Sequence, residues 1–395
     1  MIKLHRQPLT LIIALIMLFA TSFSSVTAVG ADTPITASIS LQSVPPNGTT
    51  SRIIDVFPDP GLAAAVAEEL GKDVDDIVSE QELAEIESLP AGQRNIESID
   101  GVQYLVNLES LDLENNQISD LTLLAELTGL ESLYLPDNQI SDLTQIAGLT
   151  SLQMLGLGYN QISDISPLAG LTDLRSLSLY GNQISDISPL AGLTSLRRLD
   201  LHNNQISDLN PLAGLTDLEW VSLMSNRISD ITLLTGLTSL FYVNLCHNYI
   251  SDITPLADLD LWNAAVWGQT IVLDNTAVNN ATAVTIKNID GTVIPLDPEK
   301  NGTYEDGMLT WTQAGDNQAE WSINITFDWV TTFAGTVSQY VHDYTIDDIL
   351  TTRDFIFKRL PEIDKDSPEF AAMDMNNDGR IDIFDLIRIR DAILR

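Results

Sequence analysis

The sequence predicts an α/β solenoid with short parallel strands on its concave face, followed by an all-β sandwich and a small α-helical module. Three observations lead to this prediction. A leucine-rich pattern returns every 22 residues through the middle of the chain, strand-like runs separated by turn signals follow residue 261, and an oxygen-rich loop lies near the C terminus. A fixed period of this size is typical of solenoids, in which each repeat buries its apolar face against its neighbours.

The first 31 residues predict a secretory signal peptide. Lys3 and Arg6 precede an apolar run at 9–19, and small residues at 29–31 form a cleavage site. The run is short for a transmembrane helix, although an uncleaved N-terminal anchor is the alternative. We therefore expect a secreted or extracellular protein with no membrane insertion after cleavage, in which residues 32–52 form a linker.

Charge and cysteine content narrow the classes of partner. The chain carries 55 acidic and 19 basic residues, for a formal net charge of −36. Such a surface repels phosphate backbones and anionic lipid, so we predict no nucleic-acid partner and no membrane-surface role. Cys246 is the single cysteine, which excludes an intramolecular disulfide. A secreted protein without disulfides indicates a bacterial source.

Residues 53–107 predict a helical cap in front of the repeats. Alanine, valine and leucine at helical spacing predict two or three short helices, with Pro58 and Pro60 at the start. Because the end of a solenoid exposes its core, a cap with a polar outer face is needed there.

Seven units of the pattern L-x-x-L-x-L-x-x-N-x-I-S-D-[LI] fill residues 108–260, and this is the consensus of the leucine-rich repeat. The fixed leucines of each unit predict one short strand with inward side chains, and the later apolar positions close the core from the convex side. In the unit that begins at residue 174, these core positions are Leu174, Leu177, Leu179, Ile184, Ile187, Leu190 and Leu193.

Two other features that recur in each repeat unit have structural interpretations. An asparagine follows each strand, as Asn182 does, and the series could be interpreted as a row of ligand-binding residues. Because buried amides need hydrogen-bond partners, we expect these side chains to bond to backbone groups in the turn instead. The Ser-Asp pairs, such as Ser185-Asp186, predict caps of the convex segments. Their repetition makes an acidic ridge, which we interpret as a solvated face.

The positions that flank the fixed leucines point outward onto the concave sheet and vary between units. Five of them, on neighbouring strands, predict an exposed ligand-binding patch, because clustered exposed aromatic side chains usually mark binding surfaces. The alternative is that these are variable, solvent-exposed side chains with no binding role, since single exposed aromatic residues are common. The patch consists of Tyr180, His202, Trp220, Met224 and Tyr242.

Residues 261–340 predict a small β-sandwich, because short strand-like runs alternate with turns such as Asp290-Gly291. The strings FPDPGLA and GVQYLVNL in the cap, and IKNIDGTVIP, NGTYEDGMLTW and TFAGTVSQ after the repeats, resemble the bacterial internalin family. That resemblance covers residues 52 to about 340 and implies an immunoglobulin-like (Ig-like) adapter at 261–340. Internalins are surface proteins whose concave faces bind host receptors, so it also implies recognition of a protein partner. The chain departs from the family in having no LPxTG-type sorting motif after the adapter.

The segment DMNNDGRIDIFD predicts a calcium-binding loop of EF-hand type. Oxygen ligands at loop positions 1, 3, 5, 7, 9 and 12 converge on one hard cation, Gly379 allows the sharp turn at position 6, and the seventh position contributes a backbone carbonyl. The alternative is an Asp-rich turn before a helix. The predicted Ca²⁺ ligands are Asp374, Asn376, Asp378, Arg380, Asp382 and Asp385.

Aspartate at position 12 and the helix directly after the loop resemble dockerins, which attach extracellular proteins to cohesin-bearing scaffolds and contain two loop–helix units. The resemblance implies a dockerin-like module at 341–395. A weaker first loop fits upstream, although threonine stands at its third position and Asp348 replaces the turn glycine. Its candidate ligands are Asp343, Thr345, Asp347, Thr351 and Asp354.

No motif places a nucleophile beside a base, so we predict no catalytic residues and no enzyme activity. The prediction is a secreted recognition protein that binds a protein or glycan with its repeats and docks to a cohesin-like scaffold through calcium. Two alternatives remain: an adhesin that is not attached to a scaffold, and a non-catalytic component of a polysaccharide-degrading complex.

Overall fold

The computed structural model describes residues 50–274, 276–277, 279–298, 301–313, 315–326 and 330–342. The predicted signal peptide, the calcium-loop ligands and the weaker loop at 343–354 lie outside the described residues. Within the described part of the chain, no helix has both the length and the apolar character needed to span a bilayer.

The region before the repeats contains three short α-helices, α1 (Ile53–Val56), α2 (Pro60–Glu69) and α3 (Glu80–Leu83), and an antiparallel pair, β1 (Ser51–Arg52) and β2 (Ile77–Val78). Asp59 caps α2, because one of its carboxylate oxygens accepts the backbone N–H groups of Gly61 and Leu62. Its other oxygen accepts the N–H groups of Glu97 and Ser98. A single buried carboxylate therefore joins the cap to the first coil of the array.

The repeats form a parallel sheet in which the strands from β3 to β10 pair at a register of 22 residues, as between Leu111 and Leu133, and the last pair, β10 with β11, has a register of 21. The predicted leucine-rich-repeat solenoid is confirmed. Its strands are β3 (Ser88–Pro90), β4 (Ser110–Asp112), β5 (Ser132–Tyr134), β6 (Met154–Gly156), β7 (Ser176–Ser178), β8 (Arg198–Asp200), β9 (Trp220–Ser222), β10 (Tyr242–Asn244) and β11 (Asn263–Val272).

The fixed apolar side chains of each coil fill one continuous core. Leu174, Leu177 and Ile184 are fully buried, and the equivalent residues of the other units are buried in the same way. Burial of one such side chain contributes about 1.5–3 kcal/mol, but only when a neighbouring coil covers it. The stack, rather than any single coil, is therefore the stable unit.

Short 3-10 helices form the side opposite the sheet, and the aspartate of each Ser-Asp pair lies two residues before the start of one of them. Asp186 Oδ1, for example, accepts the backbone N–H of Ser188 at 2.8 Å. The hydrogen bonds from Ser188, chiefly that of its backbone N–H, lower the pKa of Asp186. The 3-10 helices are Val102–Tyr104, Thr122–Glu126, Thr144–Ile146, Ser166–Gly170, Ser188–Gly192, Asn210–Leu212, Thr232–Gly236 and Thr254–Leu256.

The repeated asparagines form a hydrogen-bond ladder between coils. Asn182 Oδ1 accepts the N–H of Ile162 in the preceding coil, and Asn182 Nδ2 donates to the carbonyls of Leu157 and Leu179. The Leu179 carbonyl also accepts from Asn204 of the following coil, so consecutive asparagines share acceptors. The amides therefore satisfy buried backbone groups, which is the role expected of them.

The sheet extends by one strand on each side of the seven predicted units. Residues 86–99 repeat the unit pattern, with Leu89 buried on β3 and Arg94 at the asparagine position. At the other end, Gln269 reproduces the ladder on β11, since it accepts from the N–H of Ile250 and donates to the Leu245 carbonyl.

Beyond the array, β11 continues into a second region of strands, where it pairs in parallel with β19 (Val330–His342). Trp311 is fully buried there and donates from Nε1 to Gln339 Oε1 at 2.9 Å. The remaining strands are β12 (Thr276–Ala277), β13 (Ala281–Ala283), β14 (Ile286–Lys287), β15 (Val293–Ile294), β16 (Gly302–Glu305), β17 (Met308–Trp311) and β18 (Gly315–Thr326).

Candidate binding face

The outward side chains of the parallel sheet stand in three columns that run along the array. The first column holds the first residue of each strand, the middle column the third residue, and the last column the second residue after the strand. Strands of a sheet lie ~4.8 Å apart, so planar side chains at equal positions stack on one another. On β8, these positions are Arg198, Asp200 and His202.

The first column carries a continuous stack of three side chains on β8, β9 and β10. The guanidinium carbon of Arg198 lies 3.8 Å from the ring centroid of Trp220. The indole in turn stacks on the Tyr242 ring, with centroids 4.9 Å apart and planes 3° from parallel. A cation over an aromatic face is held by the ring quadrupole, so this arginine is fixed in place by its neighbour.

The last column carries a second stack, at the other ends of the strands. The rings of Tyr180 and His202 are parallel, with centroids 4.7 Å apart and an interplanar angle of 2°. Tyr159, which lies in the turn after β6, packs its ring at 89° to that of Tyr180 with a centroid separation of 5.0 Å. This group therefore spans three consecutive coils.

Two glycines make room for the tyrosines. A Cβ atom at Gly158 would lie 2.3 Å from the Tyr180 ring, and one at Gly181 would lie 2.4 Å from the Tyr159 ring. Each tyrosine thus covers the glycine of the neighbouring coil, which brings both rings down onto the backbone.

Asp200 lies between the two stacks, but its carboxylate is turned toward only one of them. Its Oδ1 is 2.7 Å from His202 Nδ1 and also accepts the backbone N–H of His202 at 3.3 Å. No carboxylate of the described residues forms an ion pair with Arg198, although Asp200 is two positions away on the same strand face. The charge of Arg198 is therefore free for an external group.

The protonation states of the face follow from burial. Burial raises the pKa of Tyr180, as nearby carboxylates such as Asp137 also do, and burial raises the pKa of Tyr242. Both phenols are thus hydrogen-bond donors at neutral pH. Cys246, in the last column, is buried, which raises the pKa of its thiol to about 11. This cysteine is protonated and unreactive at neutral pH.

All five residues predicted for the patch lie on this face, but the fold divides them. Trp220 and Tyr242 belong to the first column, whereas Tyr180 and His202 lie in the last one. Met224 also lies in the last column, with its sulfur 3.8 Å from the side-chain amide of Asn244. Whether these residues bind a ligand stays a prediction.

The sequence prediction missed two residues of the stacks. The period of 22 places Arg198 at the same position as Trp220 and Tyr242, so the repeat alignment contained that signal. Tyr159 occupies a turn with a left-handed backbone, at φ 50°, and the alternation of strand side chains gives no indication of it.

Within the residues that the structure describes, no group of three or more histidine, cysteine or acidic side chains is arranged to hold a metal ion. The predicted Ca²⁺ ligands, from Asp374 to Asp385 and from Asp343 to Asp354, fall outside that part of the chain. The described face offers aromatic edges, phenol and imidazole groups and the guanidinium of Arg198, which are means of recognition.

Comparison with known families finds two kinds of match. Residues 37–84 match a family model described as the N-terminal region of bacterial adhesion and invasion proteins, Internalin_N. Residues 107–127, 128–170 and 172–214 match models of leucine-rich repeats. A search of curated proteins finds no match.

Three solved structures from Listeria monocytogenes are similar to this chain. An internalin, inlF, is 40% identical over 55% of this chain and 66% of its own, with a TM-score of 0.53. Internalin C2 is 44% identical over 55% of this chain and 97% of its own, with a TM-score of 0.54. InlP is 17% identical over 75% of this chain and 99% of its own, with a TM-score of 0.50, which supports the fold alone. The chain thus spans slightly less than two thirds of inlF and nearly all of internalin C2.

Proposed function

This chain belongs to the internalin family of leucine-rich-repeat proteins, and on that premise we propose that it is a recognition protein whose exposed sheet face binds a protein partner. The family consists of non-enzymatic adhesion and recognition proteins that are usually secreted or attached to the cell surface, and leucine-rich repeats generally bind proteins. The proposal concerns which surface binds and what holds the protein in place.

The observation that carries this proposal is the pair of ring stacks on β7 to β10. Rings that already lie on one another lose little side-chain freedom when a partner binds, so the side-chain part of the entropic cost of association is small. Tryptophan, tyrosine and arginine are also the residue types that contribute most to protein interfaces. The first stack contains one of each, in contact.

Affinity capture with the full chain as bait tests the face. We compare extracellular proteins retained by the wild type with those retained by Trp220→Ala and Tyr242→Ala. Each substitution is expected to weaken binding by about 1–3 kcal/mol, which is roughly five- to 150-fold in dissociation constant. Tyr134→Ala is the control, because Tyr134 lies on the same face, on β5, four strands from Trp220 and five from Tyr242. Equal retention by all four proteins would place the interface elsewhere.

We further propose that the protein is secreted, that residues 261–340 form an Ig-like adapter, and that residues 341–395 form a calcium-dependent, dockerin-like module. The support is in the sequence: a signal-peptide pattern at 1–31 and an EF-hand-type loop in which every ligand position from Asp374 to Asp385 is filled. Calcium would be held by these oxygens and would fold the tail, because metal binding and folding are coupled in such small modules.

Calcium titration of the full chain tests the loop. Added CaCl₂ is expected to raise the melting temperature of the tail transition in the wild type but not in Asp374→Ala. Asp366→Ala, which removes an aspartate outside the loop, is the control. A wild-type melting curve that does not respond to calcium would contradict the proposal.

Docking is tested separately, by pull-down with a purified cohesin in the presence and absence of EDTA. Binding that requires calcium is expected for a scaffold-attached protein. If no cohesin binds and deletion of residues 341–395 leaves cell association unchanged, the protein is an adhesin that needs no scaffold. Glycan binding by the repeats would instead favour a non-catalytic role in a polysaccharide-degrading complex.

A further inference from the structure

We propose that the partner presents an acidic side chain to Arg198, within an extended peptide segment that lies between the two ring stacks. This inference rests on the proposed function of the face and specifies the chemistry of its partner. Three features carry it: the position of positive charge in the array, the surroundings of Arg198, and the way the ring faces are used.

Positive charge in the repeats is confined to a few positions. Residues 108–260 contain four arginines and no lysine, in a chain whose net charge is −36. Three of these arginines, Arg175, Arg197 and Arg198, lie at the starts of two adjacent strands, beside the first stack. The fourth, Arg227, lies in the turn after β9, beyond the other end of the strands. The basic spot therefore coincides with one end of the stacked face.

Among the three clustered arginines, Arg198 has its guanidinium held in place and forms no ion pair with a carboxylate of the described residues. Arg197 already pairs with Glu219 at 3.3 Å. Arg198 lies over the Trp220 ring, while the adjacent Asp200 carboxylate is engaged by His202. A guanidinium fixed by stacking still directs its N–H groups outward, and its fork geometry matches a carboxylate.

The ring faces favour a protein segment over a sugar. A sugar ring binds an aromatic side chain by lying flat on its face, but Trp220 has Arg198 on one face and Tyr242 on the other. Tyr180 likewise has His202 stacked on one face and makes an edge-to-face contact with Tyr159. The inner rings of the stacks, Trp220 and Tyr180, therefore present mainly edges and polar atoms, which suit side chains and backbone carbonyls.

The space between the stacks suits an extended segment. The first and last columns are four residues apart along a strand, about 13 Å at ~3.3 Å per residue. The middle column between them carries small or short side chains, including Ser178 and Ser222, of which Ser222 is only 4% exposed. The result is a polar floor that includes Asp200. The Trp220 and Tyr242 rings border it on one side at β9 and β10, and the Tyr180 and His202 rings border it on the other side at β7 and β8.

Selection from a phage-displayed library of random 12-residue peptides tests the proposal, with the full chain as bait. Wild-type baits are expected to enrich peptides that contain Asp or Glu. Arg198→Glu is expected to weaken those peptides about ten- to a hundredfold, as for loss of a charge-assisted hydrogen bond, and to select Lys or Arg instead. Arg227→Glu makes the same charge change at the opposite ends of the strands, and it is expected to keep the acidic preference.

The outcomes separate this inference from the function on which it rests. Peptides that lose binding with Trp220→Ala but show no acidic preference would overturn the acidic-partner proposal and leave the binding face intact. Unchanged peptide selection by Arg198→Glu, binding of a heparin hexasaccharide in place of acidic peptides, or no enrichment at all would also overturn it. If enriched peptides bind Trp220→Ala as tightly as the wild type, both proposals fail.

Discussion

Replacing Asn182 with alanine removes one rung of the ladder that joins consecutive coils. The side chain lies in the middle of the array, where its Oδ1 accepts the Ile162 N–H at 3.0 Å and its Nδ2 donates to two leucine carbonyls. The neighbouring residue Gln183 is exposed, so Gln183→Ala provides a matched control that leaves the ladder intact.

The structure allows the loss to be worked out group by group. The carbonyl of Leu157 still accepts from Asn160, and that of Leu179 still accepts from Asn204. Among these partners, the Ile162 N–H loses its acceptor outright, which costs about 1–3 kcal/mol for a buried group. Two lost hydrogen bonds to the leucine carbonyls add about 0.5–1.5 kcal/mol each. The expected destabilisation is therefore about 2–6 kcal/mol.

Urea unfolding of the full chain and hydrogen exchange of the Ile162 amide measure this effect. Asn182→Ala is expected to lower the free energy of unfolding by the stated amount and to remove protection at Ile162, whereas Gln183→Ala changes stability by less than about 0.5 kcal/mol. If both variants lose the same small amount, or if the Ile162 amide stays protected in Asn182→Ala, the ladder does not stabilise the stack.

Three further predictions test the cap, the face and the acidic ridge. Gly158→Ala is expected to displace the Tyr180 ring and weaken partner binding with little loss of stability, because the new Cβ would lie 2.3 Å from a ring atom. Gly148→Ala is the control, since Gly148 has open space around it. A crystal structure of Gly158→Ala in which Tyr180 has not moved would contradict this prediction. Asp59→Ala leaves four backbone N–H groups without their carboxylate and is expected to cost about 2–4 kcal/mol in thermal or urea unfolding; a loss as small as that of an exposed substitution would be evidence against its joining role. The Thr122 hydroxyl, followed by its backbone N–H, lowers the pKa of Asp120, so Thr122→Val is expected to raise that pKa toward its ordinary value in an NMR titration. The pKa of Asp120 is lower in the folded protein than in the unfolded chain. The stabilisation from this carboxylate is therefore present above about pH 3.9 and disappears as the pH falls through the pKa of the folded protein. An unchanged Asp120 pKa in Thr122→Val would show that the hydroxyl has no such effect.

The sequence alone determined the solenoid, because its signal is periodic. Leucines at one position, such as Leu111 and Leu133, become neighbours in register once a 22-residue coil is assumed, and the core follows without further information. The same reasoning placed Tyr180, His202, Trp220, Met224 and Tyr242 on the outer face, since side chains of a strand alternate between its two faces. The asparagine ladder was predictable for a similar reason: a buried amide repeated in every turn must bond to backbone.

Which of these side chains touch was decided only by the tertiary structure. The period alone assigns Trp220 and Tyr242 to one column and Tyr180 and His202 to another. Whether the rings of a column stack on one another depends on their rotamers, and these depend on the residue at the same position of the next coil. Arg198 forms no ion pair with Asp200 because the Asp200 carboxylate bonds to His202 instead. Both Arg198 and His202 are two residues from Asp200, so the sequence does not indicate which of them it contacts. Tyr159 joins the second stack because Gly181 leaves space beneath its ring. A repeat fixes where each backbone position lies, whereas contacts between variable side chains depend on neighbours 22 residues away in both directions.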